Sequence, residues 1–153
     1  MRIRPLTDND LPRANAMILA SKSHWGYSPA FITACKDALT VTVDELQRTA
    51  CVGLFEGETL IGMSTLIAHT SHAELDKLFI DPEHIGKGAG KRLYQWAIHT
   101  TKTLGLNTIQ IDADPHAADF YAHCGAEHRG FVASTVEPGR ELPFFVHTID
   151  EAS

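Results

Sequence analysis

The segment that most constrains this chain runs from Glu74 to Leu104. Leu75 to Ile80 is an apolar run of strand length, and Asp81-Pro82 ends it because proline donates no ladder hydrogen bond. Ile85-Gly86-Lys87-Gly88-Ala89-Gly90-Lys91 follows, with glycine at alternate positions and a lysine on either side. From there the apolar spacing becomes helical. Leu93, Trp96, Ala97, Thr100 and Leu104 fall on one stripe, and Gly105 is placed as a C-cap. Strand, glycine turn and helix in that order build an anion site. Glycine lets the backbone approach a ligand closely, and the helix start aims unpaired N–H groups at a phosphate.

The flanking segments set the fold class. Ile3 to Leu6 reads as a first strand. Thr7 is a good N-cap for a helix whose face carries Leu11, Ala14, Met17, Ile18 and Trp25, and Gly26 breaks it. Ser28-Pro29 opens a second helix with Phe31, Ile32, Cys35 and Leu39 on its apolar face, and Asp44 to Arg48 adds a short turn. Ala50 to Phe55 and Thr59 to Ala68 flank Glu56-Gly57-Glu58 as a hairpin, with Glu74 to Ile80 as the next strand. Asn107 to Ile111 is a strand and Pro115 to His123 a short helix closed by Gly125. Glu127 to Ser134 and Phe144 to Ile149 are two last strands around Glu137-Pro138-Gly139-Arg140. Hairpins imply antiparallel pairing, and the strand–helix–strand passage through Gly86 implies one parallel pair. The expected architecture is α/β (α+β): a mixed, mostly antiparallel sheet of about seven strands with helices on both faces. A length of 153 residues fits a single domain over 1–153.

Composition narrows the function classes. A formal net charge of -6 argues against general nucleic-acid binding, which depends on cationic patches. No apolar run reaches the length of a membrane span, and the first residues lack a signal-peptide core. Cys35, Cys51 and Cys124 are odd in number and widely spaced, the pattern of reduced thiols in a cytoplasmic protein. His69 with His72, and His116 with His123, have spacings that suit a metal, but no third ligand accompanies either pair, so no metal is expected. Gly86, Gly88 and Gly90 do not have the Gly-x-Gly-x-x-Gly spacing of a dinucleotide site, and Gly90-Lys91-Arg92 lacks the hydroxyl of a P-loop.

Two segments carry a resemblance. The first is Glu74-Leu75-Asp76-Lys77-Leu78-Phe79-Ile80-Asp81-Pro82 with Gly86-Lys87-Gly88-Ala89-Gly90. The second is Asp114-Pro115-His116-Ala117-Ala118-Asp119-Phe120-Tyr121, ending in Cys124-Gly125-Ala126. Through them the chain resembles the GCN5-related N-acetyltransferase (GNAT) superfamily over nearly its whole length. Gly88 and Gly90 match the small positions of the family's Gln/Arg-x-x-Gly-x-Gly/Ala loop, while Ile85 replaces its Gln/Arg. His116 stands where asparagine is usual.

The resemblance implies an acetyl-CoA-dependent N-acetyltransferase that moves an acetyl group directly to a primary amine of a small or amino-acid-like acceptor. A non-catalytic CoA-binding or regulatory module is the alternative. The implied cofactor residues are Leu78, Phe79 and Ile80 along the pantetheine arm, Gly86, Lys87, Gly88, Ala89, Gly90 and Lys91 at the pyrophosphate, and His116 and Phe120. Lysine-type amines have a pKa near ~10.4, so the acceptor must lose a proton before it attacks. The implied base is Glu74, with Asp76 or a water as alternatives. The backbone N–H of Phe79 is the implied oxyanion donor, and Tyr121 is the acid that returns a proton to the thiolate. His24, Trp25 and Tyr27, between the first two helices, are placed at the acceptor with Asp76, and Arg140 is a candidate for a substrate carboxylate. Many relatives are dimers, and nothing in the sequence marks an interface.

Overall fold

A computed structural model describes residues 1–150. Seven strands and five α-helices make up its regular structure. They are β1 (Arg2–Pro5), α1 (Leu11–Ser23), α2 (Pro29–Leu39), α3 (Val43–Arg48), β2 (Ala50–Glu56), β3 (Thr59–Ala68) and β4 (Ala73–Ile80), then α4 (Ala89–Thr103), β5 (Thr108–Asp112), α5 (Ala118–His123), β6 (Glu127–Ala133) and β7 (Glu141–Thr148). The strands hydrogen-bond in the order β1-β2-β3-β4-β5-β7-β6. β1 and β2, β5 and β7, and β6 and β7 run antiparallel. β4 and β5 run parallel, which is why a helix must carry the chain between them. The mixed, mostly antiparallel sheet expected from the sequence is the one observed.

The contacts divide the chain into two compact units, residues 1–65 with 77–93, and residues 66–76 with 94 onward. In the first, Leu6, Ala14, Met17, Ile18, Val41, Cys51, Phe55, Leu60 and Met63 form the buried core, with Leu11, Leu39, Leu46 and Phe79 against it. Its helices start where their caps dictate. Ser28 Oγ accepts from the Phe31 N–H at 3.1 Å, and Thr42 Oγ1 from the Glu45 N–H at 3.2 Å. Asp10 accepts from the Thr7 N–H at 2.8 Å and takes a bidentate pair from Arg4 at 2.8 and 3.1 Å. A single 3-10 turn over Asp8–Asp10 precedes α1. The buried Lys77 amine pairs with Glu45 of α3 at 3.0 Å, which ties that short helix to β4.

In the second unit the buried side chains include Ala73, Leu75, Tyr94, Ala97, Ile109, Ile111, Tyr121, Phe145 and Val146.

Three expectations are corrected. Trp25 does not share the buried face of α1. That helix ends at Ser23, Ser21 takes the buried position, and Trp25 lies 43% exposed before Gly26, whose φ is 84°. On α4 the buried residues are Ala89, Leu93, Tyr94, Ala97 and Thr101, and Leu104 is half exposed past the helix end. The stripe was drawn one residue off because Tyr94, an aromatic beside Leu93, belongs to it. β7 begins at Glu141 and runs through Pro143, which a proline rule would leave in the loop. Pro143 lies past the last β5 pair, Asp112 with Phe144, and faces Phe131 beyond the register shift of β6, so no ladder bond needs its missing N–H.

Candidate functional site

The first unit builds the glycine loop. Asp81, just after β4, is fixed by its N–H to the Ile61 carbonyl at 2.8 Å. A 3-10 turn over Pro82–His84 follows, and His84 Nδ1 lies 2.7 Å from Asp81 Oδ2. Gly86 and Gly88 then adopt φ of 87° and 83°. A Cβ at either position would meet no atom within 4 Å, so glycine is required for conformation and not for space. The Gly88 carbonyl accepts from the Arg92 N–H at 3.1 Å, the first turn of α4. The N–H groups of Ala89, Gly90 and Lys91 belong to the helix start that has no intrahelical acceptor. Lys87, Lys91 and Arg92 are exposed, and none forms an ion pair with another described residue. Three cations without carboxylate partners beside free amides are chemically suited to a phosphorylated ligand. Arg92 was absent from the sequence expectation, although its place in the first helical turn marks it.

β4 supplies the approach to this loop. Leu78, Phe79 and Ile80 are half-buried, and the Phe79 ring packs on the core, so what it can offer a ligand is backbone. Gly62 of β3 lets β4 sit close. A Cβ there would fall 2.9 Å from Ile80 Cδ1 and 3.2 Å from the Phe79 carbonyl oxygen. The register between β4 and β5 spans Ala73–Glu74, and β4 continues for six residues beyond it.

Also in the first unit, His24 and Trp25 meet edge to face at 5.0 Å, and Tyr27 lies 4.6 Å from Phe31. Lys22 Nζ sits 4.9 Å over the Tyr27 ring and 5.7 Å over Phe31. The connection thus carries two aromatic pairs, His24 with Trp25 and Tyr27 with Phe31, and a cation lies over the second.

The second unit gathers the carboxylates. Glu74 and Asp76 share one face of β4, as strand alternation requires, and Asp112 ends β5. Burial raises the Asp112 carboxyl above its ordinary range, and the negative charges of Glu74 and Asp76 add to it. Glu74 Oε1 is 2.8 Å from His69 Nε2, and the His69 and His72 rings stack at 4.7 Å. The sequence treated His69 and His72 as turn residues, and the partnership with Glu74 was not legible from spacing.

Tyr121 of α5 is 6% exposed, and burial holds its phenol well above the ordinary value. Tyr94 lies 6.1 Å away, Phe120 5.2 Å and Phe145 6.1 Å, ring to ring. The Tyr121 side chain makes no hydrogen bond to a described residue. No fully buried side-chain polar atom among the described residues lacks a partner, so its hydroxyl keeps some accessible surface. Tyr94 differs. Its hydroxyl lies 2.8 Å from His147 Nδ1, and burial holds His147 below its ordinary value and Tyr94 above. Which of the two donates follows from the imidazole tautomer, since a phenol can donate or accept. Tyr94 lies outside the helical stripe expected from the sequence, because the buried face of α4 runs through it beside Leu93.

His116 is exposed, and its backbone N–H donates to Asp114 Oδ1 at 2.9 Å. Arg140 Nη2 is 3.9 Å from Asp114 Oδ2 with its side chain 18% exposed. Arg140 is thus engaged at Asp114 and largely covered.

The family model described as the acetyltransferase (GNAT) family matches residues 20–126. The chain belongs to that family. It is 36% identical over 67 residues to an uncharacterized N-acetyltransferase, ycf52, of Gracilaria tenuistipitata var. liui, covering 43% of this chain and 37% of that protein. The chain spans about a third or less of the length of the curated relatives it matches, the other being a chloroplastic GCN5-related N-acetyltransferase of Arabidopsis thaliana covered over 27%. In fold it is similar to the PaiA N-acetyltransferase of Thermoplasma acidophilum in complex with coenzyme A. That match has a TM-score of 0.83 and 21% identity, over 96% of this chain and 98% of that one. An aminoglycoside 6'-N-acetyltransferase complexed with coenzyme A matches with a TM-score of 0.69 and 15% identity, over 98% of each chain.

Proposed function

We propose that this GNAT protein transfers the acetyl group of acetyl-CoA to a primary amine of a small or amino-acid-like acceptor. The observation that carries the reading is the glycine loop, with positive φ at Gly86 and Gly88 and, at a helix start, three cations that form no ion pair among the described residues. The chain's residues fit the cofactor on chemical grounds. A pyrophosphate takes backbone N–H donors and cations, here from Gly86 to Lys91 and Arg92. A peptide-like arm takes the strand backbone at Leu78, Phe79 and Ile80. Bound acetyl-CoA supplies an acetyl group already activated as a thioester.

The protein's part is proton handling and orientation. Glu74 accepts the proton that the acceptor amine must lose, directly or through a water, and His69 orients its carboxylate. The Phe79 N–H donates to the acetyl oxygen as negative charge grows on it. Tyr121 holds its proton at Oη because burial disfavours the phenolate. A phenol of pKa ~10 does not fully protonate a free thiolate of ~8.5, so Tyr121 donates to the sulfur in concert with cleavage of the C–S bond. His24, Trp25 and Tyr27 are proposed to flank the acceptor. Among the described residues no helix is long and apolar enough to cross a membrane. The three unbridged cysteines support a cytoplasmic setting as part of the same proposal.

The test is thiol release from acetyl-CoA across a panel of amines, run with the parent chain and Tyr121→Phe. Turnover with at least one amine, reduced in the variant, supports the reading. A blank across the panel despite CoA binding favours a CoA-binding module without chemistry.

A further inference from the structure

We infer that His84 sets the affinity of this chain for its cofactor, by clamping the entrance of the glycine loop. The inference rests on the acetyl-CoA reading of that loop. Ile85 occupies the position where the family's loop carries Gln or Arg, and its side chain cannot hydrogen-bond a phosphate. Affinity then depends more heavily on backbone amides that already point the right way. The loop has little to brace it. Residues 85 to 88 are exposed, and no atom lies near enough to Gly86 or Gly88 to contact a side chain there.

Its two ends are therefore decisive. Downstream, the chain is fixed by α4, whose Ala89 and Leu93 are buried and whose Arg92 N–H holds the Gly88 carbonyl. Upstream, everything converges on Asp81 and His84. The Asp81 N–H is tied to Ile61 of β3, and the His84 N–H returns to the Asp81 carbonyl at 2.8 Å. The His84 ring closes the same turn a second time, 2.7 Å from the Asp81 carboxylate. An ionised carboxylate only accepts, so Nδ1 must donate, and the bond is charge-assisted. The ring is 17% exposed and Asp81 26%, so water competes weakly. Nε2 lies 4.0 Å from Glu56 at the end of β2, too far for a hydrogen bond, so among the described residues the Asp81 contact alone holds the ring by hydrogen bonding. Without the ring, one 3-10 hydrogen bond holds the turn, and the loop must be ordered when the ligand binds.

The test compares His84→Ala, His84→Asn and His84→Gln in the full chain by calorimetric titration with CoA, with kcat and the acetyl-CoA KM measured alongside. His84→Ala is expected to bind CoA about tenfold more weakly. KM should rise with kcat nearly unchanged, the signature of lost uniform binding. Asparagine places an amide N–H where Nδ1 was and should restore most of the affinity, whereas glutamine, one bond longer, should not. Equal affinity of parent and His84→Ala, equal behaviour of asparagine and glutamine, or a fall confined to kcat overturns the inference. The asparagine–glutamine comparison stands even where the alanine variant fails to fold. If the parent chain binds no CoA, the acetyl-CoA reading fails on its own. Amide hydrogen exchange over Ile85 to Gly88 then decides the clamp. Faster exchange in the glutamine variant than in the asparagine variant upholds it, and equal exchange overturns it.

Discussion

Two buried phenols, 6.1 Å apart, show how the same residue type is put to different use. The Tyr94 hydroxyl is hydrogen-bonded with His147, while Tyr121 has no such partner among the described residues. Replacing Tyr121 with phenylalanine keeps the ring packing and removes the proton. The account expects kcat to fall about 100-fold, in the usual range for a lost general acid, with little change in CoA affinity. Steady-state kinetics with a titration of CoA check both halves. Glu74→Gln should lower kcat/KM by a similar order, since an amide cannot take the amine's proton. His69→Gln should cost less, because it only holds Glu74 in place. Tyr121 and Glu74 can be named as candidates from the sequence because each sits at a fixed offset within a motif. The contacts of His69 and Tyr94 cannot, because each meets its partner across a turn or from an element far along the chain.

Elements show the same division. The glycine loop was readable from its own chain, since positive φ and exposure demand glycine whatever surrounds it. Gly88→Ala should cost about 1 kcal/mol through its left-handed conformation and weaken CoA binding as the helix start shifts. Chemical denaturation and CoA titration of the variant measure the two effects. Gly62 has the opposite reason, crowding against Ile80 and the Phe79 carbonyl, and nothing in a strand's alternation announces it. The strands of the hairpins and the parallel pair were expected in their observed order. The extent of β7 was not, because Pro143 lies past the last β5 pair and beside the register shift of β6, which only the pairing of the strands reveals. The helix start at the Ser28 cap was legible; the Thr42 cap of α3 and the end of α1 before Trp25 were not.

For the molecule as a whole, the charge state predicts acid sensitivity in two stages. Burial holds His147 below its ordinary value, with Asp150 opposing. The unfolded chain therefore takes up that proton first, and stability declines as pH falls below ~6.5. Asp10 is held well below the usual carboxylate range, chiefly by its hydrogen bonds from Arg4. Its contribution is complete above the unfolded value of ~3.9 and is lost progressively below it. Asp112, held high, works against this second stage. Thermal midpoints from pH 8 to pH 3 should show both declines, and His147→Gln should remove the first. The family places this chain among acetyltransferases, and the central claim is that its glycine loop holds coenzyme A. Calorimetric titration of the intact chain with CoA tests that most directly. The account predicts saturable binding that weakens when Lys87 and Lys91 are replaced by alanine and that ATP does not displace at equal concentration. No saturable binding by folded protein, or binding indifferent to both lysines, would contradict it.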